Sequence, residues 1–419
     1  MIASASKNAF DFRTLPAYRE VGIAKAAGQT LGIPSPFFRR ADAVRGTKVK
    51  IDGAWVENFA SYDYLGLNQS ETVTSSAAQG AATWGVSATA SRLVGGERHY
   101  HAELEQLLAE FIGAEASLVM VSGHATNVAV IRTVIEKGDL VLVDALAHNS
   151  IFEGVRASHA EHLSFPHNDW GWVDENLSKL RGNYRNVLIA VEGLYSMDGD
   201  APDLARFVEV KSRHDAWLMV DEAHSLGVLG RTGRGVCEET GVDPGEIEIL
   251  MGTLSKSLCS CGGFIAGSAG LTDLLRYKAP GFVFSVGLSA PSALAAIASL
   301  KALAADPERV SRLRDLARHF LERAVSSGLD CGLGQGFAVV PVMIGDSIRA
   351  AWISNRMLER GFNVLPIIAP AVPNKSARLR FFLTSGHDEA VLDEAIDAMA
   401  ALVSESSGLS AGDMGDQRD

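Results

Sequence analysis

The lysine at position 256 is the residue in this sequence with the clearest potential for covalent chemistry. It lies in the segment TLSK, shortly after the apolar run 247–251. Apolar surroundings lower the pKa of a lysine because desolvation disfavours the ammonium form, and a neutral amine can attack an aldehyde to form an imine. The alternative is a surface lysine in a loop, since short motifs of this kind often occur without function.

A carboxylate, Asp221, occupies a similar position directly after the apolar run 217–220. Burying a carboxylate there is costly unless something cationic meets it. One interpretation is that Asp221 meets a protonated pyridine nitrogen, which would make the ring an electron sink. His224 lies in the same turn and could hydrogen-bond a ring hydroxyl. A helix cap or a structural ion pair is the alternative for Asp221.

Three more polar turns follow apolar runs in the same way. Glu192 opens the segment EGLYSMDGD, for which a polar turn leading to a helix is the alternative. His148 lies in DALAHNS and could stack on a planar cofactor or simply cap a helix. The segment VSGHATN begins at Val121 and predicts a small-residue turn at a helix N-terminus, which suits a phosphate group.

The apolar runs that precede these turns predict the strands of a buried sheet. They are short and apolar on both faces, and helix-like segments separate them, which indicates an α/β fold with crossover helices on both faces of a mainly parallel sheet. In such sheets functional groups gather at the carboxyl ends of the strands. The predicted strands are Leu118–Val121, Asp139–Val143, Val187–Val191, Trp217–Val220, Ile247–Met251 and Gly263–Ala266.

The chain divides into four predicted parts, because 419 residues are many for one core. Residues 1–55 form an N-terminal arm, with a helix over 17–27 and a hairpin at Asp52-Gly53. Residues 56–290 form the large cofactor-binding domain, and 404–419 a disordered tail. Residues 291–403 form a smaller α+β domain. Its predicted elements are helices Ser292–Ala305, Pro307–Ser326 and Asp388–Val403, and strands Phe337–Val342 and Leu379–Leu383.

Composition excludes several classes of protein. A hydrophobic content of 47% and a charged content of 21% are ordinary for a soluble globular enzyme. A net charge of −12 argues against nucleic acid as a partner. The N-terminus has no apolar segment of a secretory signal. The most apolar helical stretch, 290–305, is too short and too polar to cross a bilayer, so we expect no transmembrane segment.

The cysteines indicate a reducing compartment rather than a metal site. The pair Cys259 and Cys261 lacks the two-residue spacer of a zinc knuckle, and no second pair complements it. We therefore expect no metal and read all four cysteines, which include Cys237 and Cys331, as reduced thiols in a cytoplasmic protein.

Several segments together resemble one enzyme family, the α-oxoamine synthases among the fold-type I pyridoxal-phosphate enzymes, with an aspartate-aminotransferase-like fold. This family includes serine palmitoyltransferase, 8-amino-7-oxononanoate synthase and 5-aminolevulinate synthase. The resemblance runs from about residue 37 to residue 400. The matching segments are NFASYDYLGL, SRLVGGERHYHAELEQLLAEF, VSGHATN, AHNS, EGLYSMDGD, VDEAHSLGVLGRTGRG, GTLSK and RFFLTSGH.

The resemblance implies a role for each candidate residue. Lys256 would hold pyridoxal 5'-phosphate as a Schiff base, Asp221 would face the ring nitrogen, and His148 would stack on the ring and could polarise a thioester carbonyl. Arg380 would bind the amino-acid carboxylate as a bidentate fork, although Arg378 on the same strand face is an equal candidate on spacing alone. The other implied cofactor contacts are the ring-hydroxyl partners Ser196 and His224, the phosphate ligand Thr253, and the phosphate turn Ser122, Gly123 and His124.

The implied reaction is a decarboxylative condensation of an amino acid with an acyl thioester of coenzyme A or of an acyl carrier protein. The implied assembly is a homodimer with composite sites, because the segment 282–285 resembles a loop that reaches the neighbour's phosphate through Ser285. An aminotransferase or decarboxylase of the same fold, and a non-catalytic scaffold subunit of a synthase complex, are the alternatives.

Three positions depart from the family pattern. Tyr62 stands where several members have asparagine, and serine palmitoyltransferases can carry a tyrosine there, so Tyr62 is a candidate substrate contact. His124 replaces an aromatic residue that is common in the phosphate turn. Cys259 replaces a glycine that is common after the lysine, so a different local turn is expected. No catalytic group is lost, which argues against the scaffold alternative.

Overall fold

A computed structural model describes residues 11–369 and 371–407 of the chain. The predicted disordered tail therefore lies almost entirely outside the described residues. Residues 404–406 are helical in the structure, so the prediction of disorder is wrong for them. Among the described residues, no helix is both long and apolar enough to cross a membrane.

The N-terminal arm forms a helix followed by three antiparallel strands. The helix is one turn longer than the sequence predicts, and the predicted hairpin at Asp52-Gly53 joins the second and third strands. The strands are β1 (Ala41–Arg45), β2 (Lys48–Ile51) and β3 (Ala54–Asn58).

A seven-stranded sheet forms the centre of the molecule, in the order β4-β10-β9-β8-β7-β5-β6. The side chains of β5 and β7 are buried throughout, and those of β8 are buried except at its first residue, as continuous apolar runs predict. The strands are β4 (Ala116–Met120), β5 (Leu140–Asp144), β6 (Glu161–Phe165), β7 (Val187–Glu192), β8 (Trp217–Asp221), β9 (Ile249–Thr253) and β10 (Gly263–Gly267).

Two strands of this sheet differ from the prediction. Strand β10 is antiparallel to both β4 and β9, so its prediction as one more parallel strand is wrong. Only residues 254–262 join β9 to β10, and a parallel crossover needs about a dozen residues or more. Strand β6 was not predicted, because it lies at the sheet edge and most of its side chains are not buried.

The C-terminal part contains a three-stranded antiparallel sheet in the order β11-β14-β13. It also contains one short strand, β12, that does not belong to this sheet. Strand β12 pairs in parallel with β3, so the N-terminal arm and the C-terminal part share one sheet. Arg39 strengthens this junction through hydrogen bonds of 2.9 Å to Asn363 and 3.0 Å to Asn355. The strands are β11 (Val339–Gly345), β12 (Phe362–Asn363), β13 (Leu365–Ile367) and β14 (Ala377–Phe382).

Helices connect the strands and cover the sheets. The four helices with predicted bounds are all present, with ends that differ from the prediction by at most three residues. Helix α13 was not predicted. The helices are α1 (Pro16–Thr30), α2 (Glu71–Trp84), α3 (His99–Ile112), α4 (Gly123–Val134), α5 (Asn149–Ser158), α6 (Trp170–Leu180), α7 (Leu204–Arg213), α8 (Val236–Thr240), α9 (Ala269–Lys278), α10 (Pro280–Val283), α11 (Ala290–Ala305), α12 (Glu308–Ser326), α13 (Ser347–Glu359) and α14 (Glu389–Ser406).

Candidate active site

Lys256 lies in the turn after β9, where its amine has no hydrogen-bond or ion-pair partner among residues 11–369 and 371–407. Its Nζ lies 5.7 Å from the centre of the Tyr62 ring. Burial lowers the pKa of Lys256 to about 8, although the charges of Asp221 and Glu192 act in the opposite direction. A lysine in this state supplies a neutral amine at a pH close to neutrality.

Asp221 is buried at the end of β8, next to the last residue of β7 in the strand register. Its Oδ2 accepts a hydrogen bond of 2.8 Å from Asn127 Nδ2, and its Oδ1 accepts one of 2.9 Å from the amide of Ala223. No ion pair reaches it within the described part of the chain. This carboxylate is therefore held by neutral donors and has its negative charge available for a cationic group.

Asn127 is a site residue for which the sequence predicted no role. It is buried in α4, and its Nδ2 also donates to Ser150 Oγ at 2.9 Å. The amide thereby connects the helix after the phosphate turn to Asp221. Its position as the last residue of the VSGHATN segment was the available sequence signal.

Glu192 was predicted as a strand-end carboxylate, and the structure gives it an unusual environment. It is buried beside Asp221, and its Oε1 has no hydrogen-bond partner. Burial raises the pKa of Glu192 well above its ordinary value, and the charge of Asp221 raises it further while Lys256 opposes both. The surroundings of Glu192 therefore favour its neutral form over its carboxylate form.

His224 is buried beside Asp221, and its Nδ1 lies 2.7 Å from Tyr64 Oη. Burial lowers the pKa of His224 well below its usual value, and the positive charges of Lys256 and Arg380 lower it further. The imidazole is therefore neutral. Because Tyr64 occupies one ring nitrogen, only Nε2 can face a ligand, which agrees with a contact to a ring hydroxyl.

His148 combines the two alternatives that the sequence left open. Its side chain caps α5 by accepting from the amide of Ser150 at 3.3 Å, so the capping interpretation is confirmed. The residue is nevertheless exposed. Partial burial lowers the pKa of His148, the charge of Asp221 raises it, and the charge of Lys256 lowers it, with a net decrease. The ring of His124 packs edge-on against it at 6.3 Å between centroids. His148 is thus held by its hydrogen bond to the Ser150 amide while the residue remains exposed.

The predicted phosphate turn is the N-terminus of α4. Ser122 is the N-cap residue, and its side chain accepts from the amide of Ala125. A Cβ on Gly123 would lie 3.0 Å from Thr253 Oγ1, so a glycine lets the helix end approach this hydroxyl without crowding it. The cradle therefore combines free helix amides with a hydroxyl group, which is the donor set that a phosphate requires.

Arg380 and Arg378 lie on the same strand, β14, but their partners differ. Arg378 donates to the buried carboxylate of Asp198 at 2.5 Å and to the carbonyl of Met197 at 3.1 Å. Arg380 is also buried, but it has no carboxylate partner in the described residues. Its Nη1 donates to the carbonyl of Ser196 at 2.7 Å, and its Nε is unpaired. Arg380 is therefore the arginine with a charge free for a substrate.

Tyr62 lies between these groups. Its ring packs edge-on against Phe382 at 4.7 Å and against His224 at 5.9 Å. The guanidinium carbon of Arg380 lies 4.4 Å from the centre of the same Phe382 ring. The lysine, the imidazole and the arginine therefore surround one half-exposed tyrosine.

Ser285 is the one predicted site residue that the fold does not bring to this cluster. It lies after α10 in a loop that lines a groove with Ser91 and Val94. Its neighbour Phe284 is 85% exposed.

Cys259 shows why a glycine would suit its position. Its φ is +50°, in the left-handed region that glycine adopts most readily. Cys259 therefore occupies a backbone conformation that glycine adopts more readily, and the expectation of a different turn stays a prediction. The thiol lies 3.4 Å from Asp63 Oδ1, and burial raises its pKa.

The residues present fit pyridoxal phosphate. They supply an unpaired lysine, a buried carboxylate without a cation, a neutral histidine and a helix end beside a hydroxyl. These four groups match the aldehyde, the ring nitrogen, the ring hydroxyl and the phosphate of the cofactor. The fold and the site together define a pyridoxal-phosphate-dependent transferase.

Comparison with known proteins supports this class. The family described as Aminotransferase class I and II matches residues 55–399. A putative 8-amino-7-oxononanoate synthase of Caulobacter vibrioides is 38% identical over 93% of this chain and 98% of its own length. A serine palmitoyltransferase of Sphingobacterium spiritivorum is 32% identical over 87% of this chain and 90% of its own. The solved serine palmitoyltransferase of Sphingomonas wittichii has a TM-score of 0.90 at 28% identity, over 96% of this chain and all of that one.

The chain belongs to the α-oxoamine synthase family within Aminotransferase class I and II. It is a pyridoxal-phosphate-dependent acyltransferase that condenses an amino acid with an acyl thioester and releases carbon dioxide.

A second charged cluster, which the sequence analysis did not identify, lies beside the site and contains His167. Its Nδ1 lies 2.9 Å from Asp144 Oδ1, and its Nε2 lies 2.8 Å from Asp200 Oδ2. Burial lowers the pKa of His167, but the hydrogen bonds to the two carboxylates outweigh this effect and raise it to about 10. The imidazole is therefore doubly protonated at neutral pH. It follows β6, the strand that the sequence did not predict.

We expect this cluster to make stability depend on alkaline pH. The pKa of His167 in the folded protein, about 10, is higher than about 6.5 in the unfolded chain, so its stabilisation is complete below pH 6.5 and disappears as the pH rises through 10. The difference in melting temperature between the wild type and His167→Gln, measured from pH 6 to pH 10.5, should shrink steadily. A constant difference over this range would contradict the assignment.

Proposed function

We propose that Lys256 holds the cofactor covalently and, once the amino acid has displaced it, removes the proton from the α-carbon. Asp221 faces the ring nitrogen and keeps it protonated. When bound, pyridoxal phosphate supplies a ring that takes up the negative charge left on the amino acid. The observation that carries the proposal is that Lys256, with its lowered pKa, and Asp221, without a cation, lie at the ends of β9 and β8, two neighbouring strands.

The other polar groups of the site contact the remaining parts of the cofactor. His224 and Ser196 contact the ring hydroxyl. The ring of His148 stacks on the cofactor, and His148 polarises the thioester carbonyl. Thr253 and the turn Ser122, Gly123 and His124 bind the phosphate. The support for these roles is the neutral state of His224, the exposed position of His148 and the close approach of Gly123 to Thr253.

We further propose that the amino-acid substrate is serine and that the reaction is that of a serine palmitoyltransferase. Arg380 binds the carboxylate of the amino acid, and Tyr62 closes over it. Two observations support this choice: the extensive likeness to the solved serine palmitoyltransferase, and the tyrosine at position 62 beside both Lys256 and Arg380. The acyl donor is a long-chain thioester of coenzyme A or of an acyl carrier protein.

A spectral titration tests the substrate. Serine, glycine and alanine are added separately to the cofactor-loaded enzyme, and the change in its visible absorbance gives an apparent dissociation constant for each. We expect serine to bind at least about tenfold more tightly than glycine, because a polar site discriminates against a ligand that leaves its groups unpaired. Tighter binding of glycine or alanine would reject serine while leaving the reaction class intact.

Release of carbon dioxide with different donors then identifies the thioester. Palmitoyl thioesters of coenzyme A and of an acyl carrier protein are compared at equal concentration, followed by shorter acyl chains. A donor that supports turnover only as the carrier-protein thioester would identify that protein as a partner. We also propose a cytoplasmic location, which the four free cysteines support, since disulfides are rare in reducing compartments.

The homodimer is also part of the proposal, and the loop with Ser285 supports it. Phe284 and Val94 are 85% and 83% exposed, and Leu93 and Val286 beside them are also exposed. A monomer rarely leaves such a group of large apolar side chains in water. In a dimer this surface is covered, and Ser285 reaches the phosphate in the site of the second copy.

We expect Phe284→Asp to separate the dimer and to reduce turnover strongly, because a buried carboxylate in an apolar interface is costly. Sedimentation velocity and activity are measured on the same samples. Val325→Asp is the matched control, since Val325 is exposed at the end of α12 and far along the chain from the loop. A wild type that is monomeric and fully active at nanomolar concentration would reject the composite site.

A further inference from the structure

The His167 cluster joins two segments of the chain that both lead to the reaction site. Asp144 is the last residue of β5, and it is followed four residues later by His148. Asp200 lies in the segment between β7 and α7, four residues after Ser196. The imidazole of His167 lies between the two carboxylates, so a single side chain spans the two segments.

The cluster is a built interaction rather than a chance surface pair. Asp144 and Asp200 are both buried, and His167 is largely buried. Asn168 supports both carboxylates, because its amide donates to Asp144 Oδ2 and its Nδ2 to Asp200 Oδ2, each at 2.8 Å. The ring of Tyr195 packs edge-on against the imidazole at 4.4 Å. Both ring nitrogens of His167 therefore donate, one to each carboxylate.

Each of the two aspartates also makes a hydrogen bond to the backbone that leads to a proposed site residue, Asp144 through its carboxylate and Asp200 through its main-chain carbonyl. Asp144 Oδ1 accepts from the amide of Leu146 at 2.8 Å, which shapes the turn leading to His148. The amide of Tyr195 donates to the carbonyl of Asp200 at 2.9 Å, which closes the loop that contains Ser196. The carbonyl of Ser196 in turn accepts from Arg380. A displacement of His167 would therefore displace His148 on one side and Arg380 on the other.

We propose that His167 is a positioning residue of the reaction site, whose hydrogen bonds to Asp144 and Asp200 fix the distance between the His148 turn and the Ser196 loop. It contacts neither substrate nor cofactor and acts only through these segments. The inference rests on the proposed roles of His148 and Arg380. It goes beyond them because it makes His167, which lies outside the site, responsible for the distance between the His148 turn and the Ser196 loop.

The test compares His167→Gln with His214→Gln. His214 is a matched control because it is also a largely buried histidine paired with a carboxylate, Asp174, at 2.7 Å, but between α6 and α7. Both variants are loaded with pyridoxal phosphate and kept below their melting temperatures. The readouts are the visible absorbance, the visible circular dichroism of the bound cofactor, and kcat and KM for the amino acid.

We expect His167→Gln to keep the visible absorbance, to lose at least half of the visible circular dichroism, and to lose about tenfold in kcat. The reason is that a cofactor held by Lys256 but less firmly stacked takes several orientations, and small misplacements slow the reaction strongly. His214→Gln should lose thermal stability only. A His167→Gln enzyme that loses stability but keeps wild-type dichroism and kcat would overturn the proposal, since His167 would then be merely structural.

Asp200→Asn provides a second variant in case His167→Gln does not fold. It keeps an oxygen that can accept from His167 Nε2 but removes one of the two charges. The same direction of change in dichroism and kcat is expected, at a smaller size, and unchanged values would again overturn the proposal. Loss of the visible absorbance in the wild type itself would reject the proposed function instead, so the two failures can be told apart.

Discussion

Lys256→Ala is expected to abolish the visible absorbance band that borohydride removes from the cofactor-loaded enzyme. It should also reduce turnover by about a hundred- to ten-thousand-fold or more, the range that positioned acid–base groups contribute. Both losses have one origin, because the same amine holds the cofactor and removes the α-proton. Absorbance before and after borohydride, together with the rate of carbon dioxide release, measures the two effects.

Lys211→Ala is the control for this experiment. Lys211 is also a buried lysine, but it pairs with Glu248 at 2.7 Å, ahead of β9 and at the opposite end of the strand from Lys256. Its removal should lower the melting temperature, because Glu248 loses its partner, and should leave the visible band in place. The fold should survive Lys256→Ala, since no hydrogen bond or ion pair in residues 11–369 and 371–407 depends on its amine.

Turnover at the wild-type rate in Lys256→Ala would reject both the lysine assignment and the reaction chemistry built on it. A wild-type chain without the visible band would favour the scaffold alternative. The lowered pKa of Lys256 argues against that alternative, because a scaffold gains nothing from keeping an unpaired amine in a half-buried position.

The central sheet and the strand-end groups could be predicted because both depend on local sequence. Continuous apolar runs are typical of strands covered on both faces, and the residue after each run must then lie at the edge of the sheet. The position of Asp221 after β8 follows directly. The antiparallel direction of β10 was also available from the length of its connection, but a short apolar run by itself carries no direction.

Contacts between distant segments could not be predicted in this way. Asn127 reaches Asp221 from α4, and His167 joins two carboxylates across three segments of the chain. Nothing in the local pattern of a polar turn identifies the partner of its side chain. The pairing of β12 with β3 could not be predicted either, because a strand of two residues is too short to show the alternation of apolar and polar side chains that indicates a strand.

The two arginines of β14 illustrate the same limit and how the structure resolves it. Period-two alternation puts Arg378 and Arg380 on one face, so spacing cannot separate a structural arginine from a substrate-binding one. Asp198 makes the distinction, because it pairs with Arg378 and not with Arg380. A carboxylate far away in the sequence thus determines which arginine keeps a charge for the substrate.

Arg380→Ala is expected to raise the apparent dissociation constant of the amino acid by roughly thirty-fold to several thousand-fold. This range corresponds to about 2–5 kcal/mol for truncating one partner of a buried charge pair. The visible absorbance of the loaded enzyme should not change, because the contact forms only with substrate. The apparent dissociation constant of Arg380→Lys should lie between those of the wild type and Arg380→Ala, since lysine keeps the charge but lacks the planar guanidinium fork.

Arg378→Ala should behave in the opposite way, which makes it the sharpest comparison. Without Arg378, Asp198 is left buried and unpaired, and breaking such a pair costs about 3–5 kcal/mol of stability. Its titration with the amino acid should nevertheless stay within roughly a few-fold of the wild type, because its charge already has a partner. Spectral titration and thermal unfolding of the two variants separate these outcomes. If both titrate alike, or if Arg380→Ala loses the cofactor, then the substrate carboxylate binds elsewhere and β14 serves only to join the C-terminal sheet to the site.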